Sequence, residues 1–367
     1  MRRTHQVWLR LITFYFPIKF LLQSDTRRWI EEKFHKCECS QFIQDPYDAN
    51  KYELFLHFLC YFQFIFFRCG CGRDKGQHDP MPDWPTGRWT YQKNTVSYPT
   101  DTYGQVEFGT GVKAQYVRLT PGGKFSDIIH LLTNIWGVEP PKLILSVHGG
   151  MSNFELPNRI KRPFRKSLQR MAAVPGVWIV TTGLNVGVVK HIGDALTAGV
   201  LRRHRAVVIG IAPWGVVANR NRLVARDGDI RYFPPATAPA STVLNPNHTF
   251  FLLIDDGTAG KYGAEAKWRR NFEAEISSPA LGLNVPLVAL MVEGGANCIR
   301  VAVDYLADSK PVVVVEGSGR AADVLSLACK QLDKGDELGL STAGVLSEAE
   351  VAVLNAVQNV RRSLIFT

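Results

Sequence analysis

The stretch VVVVEGSGRAAD, residues 312–323, joins a run of valines to a Gly-Ser-Gly turn and then to a helix-forming segment. A nearly continuous apolar run of this kind is typical of a β-strand that is covered on both faces. The glycines let backbone N–H groups approach a phosphate closely, and the start of the following helix adds positive potential. The stretch therefore predicts a strand–turn–helix unit whose turn faces an anionic ligand.

The same alternation of apolar runs and amphipathic segments continues along the chain from residue 105 onward. The predicted strands are 142–148, 177–181, 206–212, 250–255, 286–292 and 311–316, and the predicted helices are 160–173, 185–198, 263–276, 296–307 and 320–331. Strands that alternate with helices pair in parallel, because each crossover helix returns the chain to the same end of the sheet. The predicted fold class is therefore α/β, with a parallel sheet flanked by helices.

Glycine turns follow nearly every predicted strand. They are SVHGG at 146–150, TTG at 181–183, APWG at 212–215, IDDGT at 254–258, VEGG at 292–295 and VEGSGR at 315–320. In a parallel sheet these turns lie along one edge, and ligands of open α/β sheets bind beyond the carboxyl ends of the strands. The sequence thus predicts a ligand site along this edge.

The turn at 317–320 is the strongest of these elements. Its free amides and the Ser318 hydroxyl could cradle a phosphate, and Arg320 could form a bidentate pair with it. The turn is neither a Walker P-loop nor the full G-x-G-x-x-G of dinucleotide-binding folds. The alternative is a tight turn that needs glycine only for its shape.

Three further features at strand ends or in helices have a structural and a functional interpretation. Asp255 and Asp256 could bind a metal or sugar hydroxyls, but capping by aspartate is the favoured interpretation. His148 could be a general base, yet a packed histidine is favoured because the sequence shows no carboxylate partner. Cys298 lies in a predicted helix, where a buried thiol is the default.

The chain divides into three predicted segments. Residues 1–100 form an irregular N-terminal extension with a helix at 27–35, residues 101–335 form the α/β domain, and residues 336–367 form a helical tail with an amphipathic helix at 347–361. Within the domain, the Pro- and Ala-rich region 227–247 predicts an exposed excursion between two strands.

Two apolar runs lie in the N-terminal extension. Residues 1–22 superficially resemble a signal peptide, but Pro17 and Lys19 interrupt the run and no cleavage site follows. The run YELFLHFLCYFQFIFF at 52–67 is shorter than the ~20 residues of a membrane-spanning helix and contains Glu53 and His57. We interpret 51–68 as a foreign insert, translated intron sequence, and assign residues 1–22 a similar origin.

The net charge of +10 favours anionic partners, or else reflects a basic solvated surface. No nucleic-acid-binding module is visible, so no nucleic-acid partner is expected. Four of the seven cysteines form two C-x-C pairs, Cys37/Cys39 and Cys69/Cys71, with His35 and His78 nearby. This spacing could bind zinc, but it differs from the usual C-x2-C, so reduced thiols without a metal are the favoured prediction.

Long collinear segments resemble the N-terminal homology region of melastatin-type TRP cation channels. They are TDTYGQVEF, KLILSVHGGMSNFEL, GVWIVTTGLNVGVVKHIGDAL, IGIAPWGVV, NPNHTFFLLIDDGTAGKYGAE, PLVALMVEGGANCI and PVVVVEGSGRAADVL. The upstream pieces WIEEKFHKCECSQFI and CGCGR resemble the stretch that precedes this region in the family. The resemblance covers about residues 27–335, interrupted by 51–68.

The resemblance implies a Rossmann-like SLOG fold on the cytosolic face of a membrane channel. In some members this region binds ADP-ribose or a related nucleotide, and it packs against neighbouring subunits of a tetramer. The implied ligand-binding residues are Gly149, Gly150, Asn153, Thr182, Gly183, Asn185, Glu293, Gly294, Gly295, Gly317, Ser318, Gly319 and Arg320. Apart from this nucleotide ligand, no cofactor is expected.

The resemblance also argues against catalysis. Related phosphoribohydrolases carry P-G-G-x-G-T-x-x-E, and the corresponding stretch here is EGGANCIRV, with Val301 in the place of the catalytic Glu. Without that carboxylate, glycosidic hydrolysis loses its acid/base group, so no catalytic residue is predicted. The expectation is a cytosolic regulatory domain, with a phosphoribohydrolase-like enzyme and a purely structural assembly domain as the alternatives.

Overall fold

The computed structural model describes residues 25–45, 68–78, 87–197, 207–281, 283–333 and 364–366. The two apolar runs at 1–22 and 52–67 and the predicted helix at 347–361 lie outside these residues. Among the described helices, none combines the length and the apolar character that crossing a membrane requires.

The described residues form one large sheet and one small one. The strands are β1 His35–Cys39, β2 Thr95–Pro99, β3 Tyr103–Phe108, β4 Lys113–Leu119, β5 Leu143–Gly149, β6 Val177–Thr181, β7 Val207–Pro213, β8 Arg226–Tyr232, β9 Phe250–Ile254, β10 Leu287–Val292, β11 Val312–Val314 and β12 Leu364–Phe366. The large sheet has the order β12-β11-β10-β5-β6-β7-β9-β4-β3-β8, and β1 and β2 form an antiparallel pair. From β12 to β4 all neighbours are parallel, whereas β3 runs antiparallel to β4 and carries β8 parallel to itself.

Helices cover both faces of this sheet. The helices are α1 at 25–33, α2 Phe125–His130, α3 Asn158–Ala172, α4 Gly187–Thr197, α5 Ala264–Ser277, α6 Ala296–Ala307 and α7 Arg320–Asp333. A π-helical turn at Leu131–Ile135 extends α2, a single turn spans Tyr91–Asn94, and short 3-10 turns occupy Lys75–Gln77, Trp214–Val216, Arg220–Leu223, Ala240–Thr242 and Pro279–Leu281.

The strand VWIVT of β6 shows why the sheet forms. All five of its residues are buried. Trp178 and Val180 pack into the core cluster that contains Phe272 of α5, whereas Ile179 faces the cluster that contains Ile192 of α4. Alternate side chains therefore enter two separate cores, and the near-continuous apolar runs follow from burial on both faces. The predicted α/β class with flanking helices is confirmed.

Three predicted segments differ from the structure. The N-terminal extension is not irregular throughout, because α1, β1 and β2 are regular. Part of the predicted excursion at 227–247 is strand β8, whose alternating, mostly polar sequence RDGDIRY reflects its position at the sheet edge. The tail contributes a strand at 364–366, which pairs with β11.

The sheet has a topological switch point between β5 and β10. From β5 the chain moves outward to β6 and β7, whereas β10 lies on the opposite side of β5 and leads outward to β11. Loops that leave the carboxyl ends of β5 and β10 therefore diverge, and we call the place between these two strand ends the crevice. The structure thus places the turns after Gly149 and Val292 at the position where ligands of such folds bind.

Candidate functional site

Two glycines at the end of β5 form one wall of this crevice. A Cβ on Gly149 would lie 2.4 Å from the Val292 carbonyl oxygen, and a Cβ on Gly150 would lie 1.8 Å from Glu293 Oε2. Any side chain at either position would collide with the neighbouring turn. The glycines therefore allow the turns after β5 and β10 to approach each other closely.

The turn at Gly317–Arg320 locks onto the turn after β10. The Glu293 N–H donates to Ser318 Oγ at 2.8 Å, and the Ser318 hydroxyl donates to the Val315 carbonyl at 2.6 Å. Arg320 Nη1 lies 3.4 Å from Glu293 Oε1. Both Glu293 and Arg320 adopt left-handed backbone angles, with φ of 56° and 49°. The two turns predicted to act together are thus one hydrogen-bonded unit.

The start of α4 reaches the same wall. The Gly187 N–H donates to Asn153 Oδ1 at 3.2 Å, so Asn153 caps this helix. Gly187 has φ of +56°, and a Cβ there would lie 1.7 Å from the Gly150 carbonyl oxygen. The amino end of α4 therefore lies beside the glycine pair of β5, as the sequence predicted.

The turn after β6 contacts a different part of the molecule. A Cβ on Gly183 would lie 2.8 Å from Gly210 Cα in β7, and Asn185 Oδ1 accepts from Asn245 Nδ2 at 3.0 Å. Thr182 Oγ1 is buried without a hydrogen-bond partner in the described part of the chain. This group of predicted site residues is thus held by β7 and the loop that contains Asn245.

Internal acceptors already occupy much of the predicted phosphate cradle. The Gly317 N–H donates to Asp323 Oδ1 at 2.6 Å, and the Gly294 N–H donates to Glu293 Oε2 at 2.9 Å. In the turn after β6, the Gly183 N–H donates to Thr181 Oγ1 at 2.9 Å. In the turn after β9, the Gly257 N–H donates to Asp255 Oδ1 at 3.1 Å. Asp323 was not among the predicted site residues, although an acidic residue in the first turn of a helix is a standard signal for amide pairing. A phosphate bound here would replace some of these acceptors.

Arg320 is an exposed cation at the crevice. Its side chain is 62% exposed, whereas the Glu293 side chain that it contacts is 8% exposed. Beside Gly317 lies a cavity of about 520 Å³, lined by Arg159, Glu316, Gly317, Asp323, Ser326, Leu327 and Lys330. The rim therefore combines a buried carboxylate with cations that reach solvent. A cavity of about 480 Å³ that includes Trp136 and Glu139 lies instead at the opposite edge of the sheet, where β6, β7 and β9 begin.

A buried polar network lies beneath the end of β5. Ser146 Oγ is 2.8 Å from Glu273 Oε1, 2.8 Å from Arg269 Nη2 and 2.8 Å from His148 Nε2. The Tyr305 hydroxyl donates to the other Glu273 oxygen. Burial, together with the Arg269 and Arg270 cations, holds the pKa of His148 well below its usual range. His148 is a packed, neutral histidine, as favoured from the sequence.

The remaining candidates also have structural roles. Asp255 is buried and accepts from Arg118 Nε at 2.8 Å and from the Cys37 N–H at 2.9 Å, so it ties β1 to the sheet. Asp256 Oδ1 accepts from the Thr258 N–H at 3.0 Å. Burial raises the pKa of the Cys298 thiol, whose sulfur lies 3.5 Å from the Gly149 carbonyl oxygen. The thiol thus remains protonated at neutral pH.

Comparison with known proteins identifies relatives of this chain. The family model described as SLOG in TRPM matches residues 114–364. The chain is 41% identical to transient receptor potential cation channel subfamily M member 1 of Mus musculus, over 85% of this chain and 20% of that protein. For subfamily M member 7 of Homo sapiens the identity is 41%, over 85% of this chain and 18% of the relative. For the trpm channel of Drosophila melanogaster it is 40%, over 86% and 16%.

The chain spans no more than a fifth of the length of these relatives. The matched region begins within β4 and ends in β12, so it includes the crevice between β5 and β10. Because both the family model and these identities extend over most of the chain, it belongs to the SLOG domain family of TRPM proteins.

Proposed function

We propose that this chain is the cytosolic N-terminal regulatory region of a TRPM-type cation channel and that its crevice binds an ADP-ribose-like nucleotide. The observation that carries the proposal is the meeting of Gly149, Gly150, the Glu293 turn and Arg320 at the switch point of the sheet. Open α/β sheets bind nucleotides at this place, because diverging loops leave room for the ligand and helix N-termini favour its phosphates.

Binding would exchange one anion for another. The Glu293 carboxylate accepts a hydrogen bond from the Gly294 N–H and contacts Arg320. In this proposal, a phosphate oxygen would take the place of that carboxylate. A diphosphate would attract the exposed Arg320 guanidinium, which forms bidentate pairs with phosphate. Glu293 would then lose its cation partner and move. This exchange couples ligand binding to the turns at 293–295 and 317–320.

Such an exchange could regulate a channel. A ligand shifts a conformational equilibrium by its differential affinity for the two states. Arg320 would supply that difference, because it pairs with Glu293 in the free state and with a phosphate in the bound state. Catalysis is not part of the proposal. By the resemblance to phosphoribohydrolases, Val301 stands in the place of their catalytic carboxylate; it lies on α6 and packs against the core cluster that contains Phe272.

The test is isothermal titration calorimetry of the full chain with ADP-ribose. We expect saturable binding, with affinity at least about tenfold weaker in Arg320→Ala, because a charge-assisted hydrogen bond contributes about 1.5–3 kcal/mol. Lys142→Ala is the matched control, since it removes an exposed cation just before β5 at the opposite edge. Glu293→Gln should bind more tightly. Absence of heat and of any thermal shift with adenine nucleotides would refute the nucleotide site.

Subunit assembly is the second candidate function. The internal pairing of the rim amides favours it, because those amides are satisfied without a ligand. This function predicts oligomers in sedimentation velocity experiments without nucleotide, and a monomer at all tested concentrations would count against it. Release of a free base from a nucleoside monophosphate, followed by chromatography, would instead support the phosphoribohydrolase alternative.

A further inference from the structure

Three cysteines and one histidine from separate parts of the N-terminal extension converge in the structure. They are Cys39 at the end of β1, Cys69 and Cys71 in a tight turn, and His78 after the 3-10 turn Lys75–Gln77. We call these four residues the thiol–imidazole cluster. Their three sulfurs and one ring nitrogen all lie within 4.8 Å of one another. The C-x-C spacing alone favoured free thiols over zinc, because spacing does not reveal that Cys39 of the first pair joins Cys69 and Cys71 of the second.

The dimensions of the cluster match a tetrahedral metal site. Zinc–sulfur bonds of ~2.3 Å in a tetrahedron place the sulfurs about 3.8 Å apart, and zinc–nitrogen bonds of ~2.0 Å place sulfur and nitrogen slightly closer. Cys71 Sγ lies 3.3 Å from His78 Nε2, within this range. Three thiolates and one imidazole are a common ligand set of structural zinc. Small adjustments of side-chain torsions would therefore suffice to surround one ion.

The hydrogen bond of His78 selects the tautomer that a metal needs. His78 Nδ1 lies 3.0 Å from the Asp74 carbonyl oxygen, which can only accept a hydrogen bond. The Nδ1 atom must therefore carry the proton, and Nε2 presents its lone pair to the three sulfurs. Metal-binding histidines typically donate their other ring N–H to a carbonyl or carboxylate in this way.

Donors also face the sulfur atoms. The Ile43 backbone N–H donates to Cys69 Sγ at 3.3 Å, and Trp89 Nε1 donates to Cys39 Sγ at 3.3 Å. Hydrogen bonds of this kind stabilise the negative charge of a thiolate, the form that binds metal. Cys69 and Cys71 are fully buried and pack with Phe42. Cys39 and His78 are half-buried, so the cluster lies at the margin of this small packed group.

Cys69 and Cys71 lie on a tight, hydrogen-bonded turn. The Cys69 N–H donates to the Arg73 carbonyl at 2.9 Å, and the Gly72 N–H donates to the Cys69 carbonyl at 2.7 Å. Gly72 has φ of +92°, which favours glycine. The chain therefore folds back within five residues, and both sulfurs point to one side. Arg68, the last residue of the predicted insert, forms an antiparallel bridge with Asp74 beside this turn.

We propose that Cys39, Cys69, Cys71 and His78 together bind one structural Zn²⁺ ion. All four positions of the tetrahedron come from the protein, so the ion would have no open position for catalysis. Binding requires the three cysteines to release their protons, which the metal drives.

The ion would join the N-terminal extension to the ligand-binding edge of the sheet. The Ala259 N–H donates to the Cys71 carbonyl at 2.7 Å, and Lys261 Nζ donates to the Gly70 carbonyl at 2.7 Å. Ala259 and Lys261 lie in the loop after β9, at the carboxyl edge. The proposed metal therefore holds this loop in place without touching the crevice between β5 and β10, and the proposal is independent of nucleotide binding.

The first test measures metal in the full chain purified under reducing conditions. Inductively coupled plasma mass spectrometry should find one zinc per chain in the wild type and a loss of most of it in Cys69→Ser. Cys37→Ser is the matched control, because Cys37 lies on the same strand as Cys39 but outside the thiol–imidazole cluster. Wild-type metal content in Cys69→Ser, or no stoichiometric zinc in the folded wild type, would overturn the proposal.

The second test keeps the proposal falsifiable if Cys69→Ser does not fold. The wild-type chain is treated with chelator and reductant and then titrated with Co²⁺, which reports its geometry through visible absorption. We expect the intense bands of tetrahedral thiolate-bound cobalt, and their disappearance on adding Zn²⁺. Octahedral cobalt spectra, or intact-mass measurements that show loss of two hydrogens through a disulfide among these cysteines, would refute the metal site.

Discussion

Two arginine–glutamate pairs flank the end of β5, and they differ mainly in burial. In the lower pair, the side chains of Arg269 and Glu273 are 4% and 0% exposed, and Arg269 also donates to the Val147 and Val180 carbonyls at 3.0 and 2.9 Å. In the upper pair, the side chains of Arg320 and Glu293 are 62% and 8% exposed and lie 3.4 Å apart.

The difference separates a structural role from an exchangeable one. A buried charge depends on the hydrogen bonds that the fold supplies. Removing either partner of the lower pair would therefore lower the free energy of unfolding strongly. Water screens the upper pair, which contributes little to stability and leaves the guanidinium free to change partner. Similar residue types thus hold the fold in one pair and leave an exposed guanidinium in the other.

The largest expected effect comes from breaking the lower pair. Arg269→Ala leaves Glu273 buried without its cation and should lower the free energy of unfolding by about 3–5 kcal/mol. Urea denaturation of the full chain measures this loss. The control is Arg270→Ala, next in sequence, whose partners Asp304 and Asp308 are half exposed. Equal losses for the two variants would show that burial does not distinguish these arginines.

The second-largest expected effect tests the close packing of the Glu293 carboxylate against Gly150. Gly150→Ala places a Cβ 1.8 Å from Glu293 Oε2 and should cost about 1–3 kcal/mol, because the buried carboxylate must move away from the Gly294 N–H that it accepts from. Combining it with Glu293→Ala should relieve the clash, so the double variant loses less than the sum of the two single variants. Gly122→Ala is the control, since a Cβ there meets no atom within 4 Å. Additive losses would contradict the contact.

The histidines make stability depend on pH. Burial holds the pKa of His148 well below its usual range and lowers that of His248 to about 3. Both are neutral when folded but protonate near pH ~6.5 when unfolded, so their contribution is complete above that pH and is lost as the pH falls. The free energy of unfolding should fall below pH ~6, by up to about 1.4 kcal/mol per pH unit for each histidine.

Urea titrations at pH ~7.5 and ~5.5 measure how the free energy of unfolding changes with pH. The two pH values lie on either side of the ~6.5 reference pKa of histidine. His148→Gln should reduce this slope, whatever the variant does to stability at neutral pH. His191→Gln is the matched control, because it removes a partly buried histidine whose Nε2 lies 2.8 Å from the Phe154 carbonyl oxygen, away from this network. An unchanged slope in His148→Gln would mean that the lower network does not exclude the proton.

The smallest stability effect belongs to the upper pair. Arg320→Ala should change the free energy of unfolding by less than about 1 kcal/mol, because the guanidinium is mostly exposed. The same variant should weaken ADP-ribose binding in calorimetry. A large loss of stability would show that Arg320 is structural, and the contrast between the two pairs would disappear.

Local pattern predicted the central part of the fold closely. The strand at 177–181 and the helix at 296–307 have the predicted bounds, because an apolar run or a 3.6-residue repeat marks an element that packs on a core. Strand β8 was missed because its sequence is mostly polar and only an edge position allows that. Strands β3 and β4 also had no individual prediction, although Val106 of β3 and Tyr116 of β4 are buried in a further core cluster with Phe251 of β9.

The candidate site was predicted in part. Glycine turns after the strands indicated the edge, and the structure brings Gly149, Gly150, Glu293 and Arg320 together there. Sequence spacing could not predict which backbone N–H groups remain free to bind a ligand. In the folded chain, Asp323 accepts from the Gly317 N–H and Glu293 accepts from the Gly294 N–H. The placement of Thr182 and Asn185 beside β7 likewise depends on strand order.

By itself, the sequence determined the alternation of strands and helices and the edge at which glycine turns gather. These are local properties, written in residue type and period. Tertiary structure alone decided that Cys39 lies beside Cys69, Cys71 and His78. It also decided that the Arg269–Glu273 pair is buried, whereas the Arg320 guanidinium is exposed to solvent. Ligand geometry and desolvation depend on residues distant in sequence, and only the packed chain brings those residues together.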